Sequence, residues 1–419
     1  MQWFQQIAPP PGVARALTVR SIVYAVGSGV FQAGSAVFFT QYLGLTATQV
    51  GLGLSVAGGL TVLLSVPLGQ VVDRWGARRV WIVAGLLEAL LFFAYPVVGS
   101  FAAFLLLVCA LAVADVTASV AKHVYTLQAL PPEERVRALA YQRSAMNVGF
   151  TAGAALSGVA LAVGTRSAYL SLVLVNAAVL LVTAVLIARL PRAAAAGSGP
   201  RTRPFAVLRD RPFVALSGLN GILQSHQTLF GVILPLWTLT CTDAPAVMIP
   251  VLYMVNTVLA VTFQVRASRG SETAVGAGRA LRTGGLTVAA GALLLGAAAV
   301  TGGIVTIAVL VAGTVMLTVG ELTQSAGAWG VTATVPPEER RGEYTGVFKL
   351  GGQVQQTFAP AGLTLLAVGT GGWGWLVIAA LMVVAGQVAP AAVRWVIRTP
   401  RLVRAEQETA ATPELVTAR

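Results

Sequence analysis

The chain has 419 residues, of which 56% are hydrophobic and only 10% charged. A soluble domain carries about 25% charged residues. These proportions, with a mean hydropathy of +0.78, exclude a water-soluble globule. The net charge of +13 could suggest nucleic acid, but the arginines are scattered among short connections and form no basic face interleaved with aromatics. Membrane orientation explains them better.

A helix needs about 20 mostly apolar residues to cross a bilayer. Twelve runs qualify: 17–42, 47–70, 79–98, 101–128, 136–163, 167–190, 212–240, 246–265, 281–301, 304–334, 342–369 and 371–394. The N-terminus has no short apolar segment followed by a small-residue cleavage site, so no removable signal peptide is expected. Cys109 and Cys241 lie far apart and form no disulfide framework or metal spacing.

Span 1 carries Tyr24, Ser28, Gln32 and Ser35 at helical spacing, one polar stripe. Span 3 contains Glu88 deep in its apolar run. Between spans 2 and 3 runs Gly69-Gln70-Val71-Val72-Asp73-Arg74-Trp75-Gly76-Ala77-Arg78-Arg79. Its glycines allow a tight turn and close helix approach. Asp73 can sit at a helix end facing arginines. Span 4 holds Asp115 at its middle, and span 5 holds Arg143 and Asn147. Between the sixth and seventh runs lies the longest polar stretch, 191–211, which reads as a linker with a short interfacial helix near 204–209. Span 7 is polar at its middle, with Asn220, Gln224, Ser225, His226, Gln227 and Thr228. Span 8 adds Asn256, span 10 adds Glu321, and span 11 adds Lys349, Gln353 and Gln356.

The halves repeat. Leu130-Pro131-Pro132-Glu133-Glu134-Arg135 is echoed by Val335-Pro336-Pro337-Glu338-Glu339-Arg340. The acid before each block (Asp115, Glu321) and the base after it (Arg143, Lys349) are offset by 206 residues between halves. Such a repeat implies a pseudo-two-fold axis along the membrane normal and a substrate site near the midplane. A charged side chain at the bilayer centre costs about 2.5–3.5 kcal/mol on insertion scales, so it needs a cavity or a partner. Pairing of Asp115 with Arg143, or of Glu321 with Lys349, is the structural alternative to a proton role.

The pattern G-x-x-x-D-R-x-G-x-R-R between spans 2 and 3 resembles the signature loop of the major facilitator superfamily of transporters. The resemblance covers residues 15–400. It implies an all-α polytopic membrane protein with twelve transmembrane helices in two pseudo-symmetric six-helix bundles. The expected division is 1–190 for the first bundle, 191–211 for the linker, 212–400 for the second bundle and 401–419 for a disordered tail. Gly69, Asp73, Arg74, Gly76, Arg78 and Arg79 would then form a conformational latch. In that fold spans 1, 2, 4, 5, 7, 8, 10 and 11 line a central cavity. Asp115 and Glu321 would face each other across it, at least one of them as the proton carrier. Tyr24, Gln32, Arg143, Asn147, Gln224, His226, Gln227, Asn256, Lys349 and Gln353 would line the substrate path. The segment 149–158 resembles the antiporter motif of the family, with Ala154 in place of its proline.

Basic residues concentrate in alternate connections and predict both termini on the cytoplasmic side of the cell membrane. The function expected is proton-coupled export of amphipathic drugs or metabolites. The alternatives are proton-coupled uptake of a small nutrient and a non-transporting sensor or scaffold. No catalytic constellation, nucleotide-binding loop, cofactor or metal site is predicted. The expected partners are a small-molecule substrate, protons and lipid, without nucleic acid, and the chain is expected to act as a monomer.

Overall fold

A computed structural model describes residues 9–192 and 205–399. Most of the expected linker and all of the expected tail lie outside the described residues. Six helices form the first half: α1 (Val13–Val37), α2 (Ala47–Trp75), α3 (Ala77–Ala94), α4 (Phe101–Ala129), α5 (Pro132–Val163) and α6 (Arg166–Ala188). The second half begins with α7, whose first segment is Arg211–Leu223 and whose last is Leu234–Cys241. It continues with α8 (Met248–Ala267), α9 (Ala274–Ala297), α10 (Ile304–Thr334), α11 (Arg341–Thr364) and α12 (Gly374–Arg398). The described residues include no strand.

Ten of these helices are long and apolar enough to cross a membrane. The other two depart for physical reasons. α11 is polar, with Arg341, Glu343, Lys349 and three glutamines. α7 is broken at Gln224–Ser225 and again loosened into a π-helical turn at Leu229–Ile233. Pro235 follows that turn and lacks the N–H that would bond the Gly231 carbonyl. Tyr253 of α8 compensates, its hydroxyl reaching the Phe230 and Gly231 carbonyls at 3.3 and 3.4 Å. Lipid offers no such donor, so the break has to be satisfied by protein.

Helix starts follow local chemistry. Thr46 caps α2 with Gln49 in a reciprocal capping box, and Ser100, Thr165 and Asp210 cap α4, α6 and α7. Each copy of the Pro-Pro-Glu-Glu-Arg block opens a helix, with Glu133 and Glu134 in the first turn of α5 and Glu338–Arg340 leading into α11. Near the expected interfacial helix, Ala206–Arg209 forms one short 3₁₀ turn.

Within the first half α1 packs between α5 and α6, and α4 packs on α2 and α3. The second half repeats this arrangement: α9 packs between α10 and α12, α7 packs on α11 and α12, and α8 packs on α10. Across the halves α2 meets α11, and α5 meets α8 and α10. The apolar part of those meetings lies toward the end that carries the 76 turn and most of the arginines, here called the basic end. Val66 of α2 is buried with Tyr344 and Val347 of α11. Leu127, Val136 and Leu139 are buried with Ala333, and Ala140 and Tyr141 with Val265. Toward the opposite end each half has its own apolar cluster, one around Phe38 and Phe104, the other around Trp237 and Trp375.

Candidate functional site: a charged central cavity and its seal

The seal at the basic end is built on α2 and α11. Gly69 faces Gly342 so closely that a Cβ at Gly69 would come within 2.6 Å of the Gly342 carbonyl carbon. That approach lets Asp73 reach the start of α11. Its Oδ1 accepts from the Gly342 N–H at 2.6 Å and its Oδ2 from the Glu343 N–H at 2.9 Å. A carboxylate on two free N–H groups at a helix N-terminus is favoured by hydrogen bonding and by the helix dipole. Gln70 adds a bond to Glu343 at 3.0 Å, and Arg340 pairs with Glu343 at 2.7 Å. Gly76 ends α2 and starts α3 at φ 86, a left-handed conformation that suits glycine. Arg78 donates to the Leu190 and Ala188 carbonyls at the end of α6, at 2.9 and 2.5 Å. Arg74 and Arg79 are exposed. Of the loop residues expected to act as a latch, Gly69 and Asp73 meet the other half, Gly76 makes the turn and Arg78 ties that turn to its own half.

Above the seal lies a cavity of about 760 Å³ between the halves. Of the expected substrate path, Tyr24, Gln32, Gln224, Gln227, Lys349 and Gln353 line it, together with Asp115. Tyr24 donates to Asp115 Oδ1 at 3.3 Å. Glu88 lines the cavity too, although α3 was expected at the periphery. Its helix packs directly on α4, which lets the side chain reach the chamber beside Asp115. Phe31, Phe39, Phe92 and Tyr95 form the apolar wall of the outer part.

The charged pairs differ from both sequence expectations. Arg143 does not pair with Asp115 but crosses to the other half, its Nη2 lying 3.2 Å from Glu321 Oε1. Asn256 donates to the other Glu321 oxygen at 3.0 Å. Lys349 donates to Ser119, one turn from Asp115, and interacts with Asp115 by charge. Arg143 thus pairs with the acid of the opposite half, and Lys349 lies near the acid of the opposite half without an ion pair to it. The reason is packing: α5 faces α8 and α10, while α11 faces α2 and α4. Glu321, with both oxygens engaged, is not among the residues lining the large cavity. Asn147, His226 and Asn256 are also absent from that wall. His226 is buried, its Nε2 3.1 Å from Gln324, which in turn donates to Asn220 at 2.7 Å.

Two bases went unrecognised in the sequence. Arg20 is buried in α1, its guanidinium 4.6 and 4.7 Å from the rings of Tyr24 and Trp81. Lys122 lies in α4 beside Met146. Each sits seven residues inside its helix, and the insertion-cost argument applied to the acids would have found both. A smaller cavity of about 270 Å³ holds Lys122, Arg143 and Lys349 together, bordered by Gln224 and Gln227. Among the described residues no three His, Cys, Asp or Glu side chains are grouped to hold a metal ion.

Twelve helices in two matching halves, closed at one end over a polar mid-membrane cavity, define a membrane transporter of the alternating-access type. A sequence model of the Major Facilitator Superfamily matches residues 17–360, and the chain belongs to that family. The fold is similar to that of a bacterial homologue of the iron transporter ferroportin in an outward-facing state. The TM-score is 0.71 at 14% identity, over 92% of this chain and 99% of that one. It is also similar to the transporter FucP in the outward conformation (TM-score 0.69, 16% identity, 92% and 99% covered). A third likeness is to the human organic anion transporter MFSD10 (TM-score 0.66, 15% identity, 91% and 100% covered). At these identities the likeness is one of fold. No curated protein is similar enough in sequence to match.

Proposed function

We propose that the protein is a proton-coupled secondary transporter of the cell membrane that exports a small amphipathic molecule. One observation carries this reading: Asp115 stands at mid-helix in α4 on the wall of a chamber shared by both halves, with Glu88 and Lys349 on the same wall. A carboxyl that alternates between a dry and a wet environment changes its proton affinity, because burial penalises the charged form. Tyr24 supplies a hydrogen bond to the ionised state. Arg20, Lys122 and Lys349 supply positive charge that stabilises the carboxylate a released proton leaves behind. Glu321 takes a second role in this reading. Its ion pair with Arg143 joins the halves and has to open when they part.

The concentration of arginine at the sealed end supports placing that end, and both termini, in the cytoplasm. The described conformation then faces outward. Gly149 and Gly153, from the segment that resembles an exporter motif, lie against α1 and allow the two helices to pack closely. Ala154 stands where that motif has proline, and this favours the second reading, uptake by proton symport.

The test is transport of a panel of dyes and metabolites in inverted membrane vesicles, with and without an imposed pH gradient. Export predicts accumulation that collapses when the gradient is dissipated. Accumulation only in right-side-out vesicles would establish symport instead. Accumulation indifferent to pH in both orientations would contradict coupling.

A further inference from the structure

The smaller cavity sits toward the sealed end and shares Ser119, Gln224, Gln227 and Lys349 with the large one. Its wall brings three cations from three helices, Lys122 of α4, Arg143 of α5 and Lys349 of α11, around about 270 Å³. Not one carboxylate is among its lining residues. Arg143 gives a single N–H to Glu321, and a guanidinium has five. Lys349 gives one of its three N–H groups to Ser119. The Lys122 ammonium has only the Met146 thioether, at 3.8 Å, and forms no ion pair among the described residues. Like charges gathered away from water repel one another, and an unpaired ammonium is costly to desolvate. Such a cluster is stable to the degree that an anion occupies it. Counting the whole centre, four bases (Arg20, Lys122, Arg143, Lys349) face three acids (Glu88, Asp115, Glu321). One further negative charge balances them.

Resting on the transporter reading, we propose that the substrate is an organic oxyanion, a carboxylate or phosphate on an apolar body. Its charged head sits among Lys122, Arg143 and Lys349. Its body extends into the large chamber against Phe31, Phe39 and Phe92, which line that chamber with Tyr95. Gln224 and Gln227, next to the break in α7, border both compartments and are placed to donate to the head.

The test uses the full chain in nanodiscs of zwitterionic lipid at one fixed pH, with four matched probes titrated by calorimetry. These are 4-phenylbutyrate, 4-phenylbutyl phosphate, 4-phenylbutylamine and 4-phenylbutanol. The expected result is that an anion binds at least tenfold more tightly than the amine or the alcohol. The tighter of the two anions identifies the head group. Lys122→Gln should weaken anion binding by about tenfold to a hundredfold, the scale of a hydrogen bond to a charged group, while Lys122→Arg should retain most of it. Equal or tighter binding of the amine or alcohol, or unchanged anion affinity in Lys122→Gln, would overturn the proposal. If Lys122→Gln does not fold, the probe series on the native chain and Lys122→Arg still decide. Binding at fixed pH without a gradient is independent of proton coupling. An anion that binds but moves indifferently to pH therefore sinks the coupling and leaves the substrate class standing. A pH-driven amine does the reverse.

Discussion

At the scale of single residues the centre of the protein is an arrangement of charges that a membrane does not tolerate unpaired. Asp115 has Tyr24 and the field of Lys349, Glu321 has Arg143 and Asn256, and Arg20 lies between two aromatic rings. Arg143 and Glu321 belong to different halves, so the proposed alternation requires their bond to open. Replacing either alone leaves a charge without its partner, which costs several kcal/mol when buried. Neutralising both, as Arg143→Gln with Glu321→Gln, should restore folding lost in the single variants, with a coupling of roughly 0.5–3 kcal/mol in a double-mutant cycle. Thermal unfolding in detergent would show it. Additive losses would mean the pair contributes nothing. The sequence marks Asp115 and Glu321 plainly, because mid-span acids are expensive. It does not show which base meets which acid. That depends on helices 178 residues apart packing across the midline.

At the scale of elements the informative joint is the end of α2 against the start of α11. Asp73 holds two backbone N–H groups at that helix start, and Gly69 permits the approach. Asp73→Asn keeps the size of the side chain but removes its charge. The loss of dipole and charge-assisted bonding is about 1–2 kcal/mol, a roughly fivefold to thirtyfold shift in the balance between conformations. Transport should fall while the amount of folded protein in the membrane stays unchanged, and accessibility of the basic end to thiol reagents should rise. Unchanged turnover would remove the latch role. The loop itself was legible in sequence because its residue types and its place between two apolar runs agree. The break in α7 was legible only as a polar run, Asn220 to Thr228. The compensation by Tyr253 from the next helix lies in tertiary structure and leaves no local trace.

At the scale of the whole molecule the halves touch at the basic end and keep separate apolar clusters toward the other. In the proposed orientation the basic residues put that sealed end in the cytoplasm. With Cys109 and Cys241 replaced, single cysteines at positions 200 and 410 should resist impermeant thiol reagents in intact cells. A cysteine at Ala112, on the wall of the large cavity, should react. The opposite pattern would invert the topology. Twelve spans and their division into repeated halves could be read from apolar run length, the alternation of arginine and the 206-residue offset of the charged pair. The convergence of Lys122, Arg143 and Lys349 could not, since it requires α4, α5 and α11 to meet.

Proton coupling through Asp115 is tested most directly in proteoliposomes carrying Asp115→Asn. Two fluxes of one substrate would be measured on the same preparation: accumulation against a gradient driven by pH, and exchange at equal concentrations on both sides. Loss of accumulation with exchange retained is the predicted result, because alternation survives while the proton site is gone. A variant that still concentrates substrate in response to the pH gradient would contradict it.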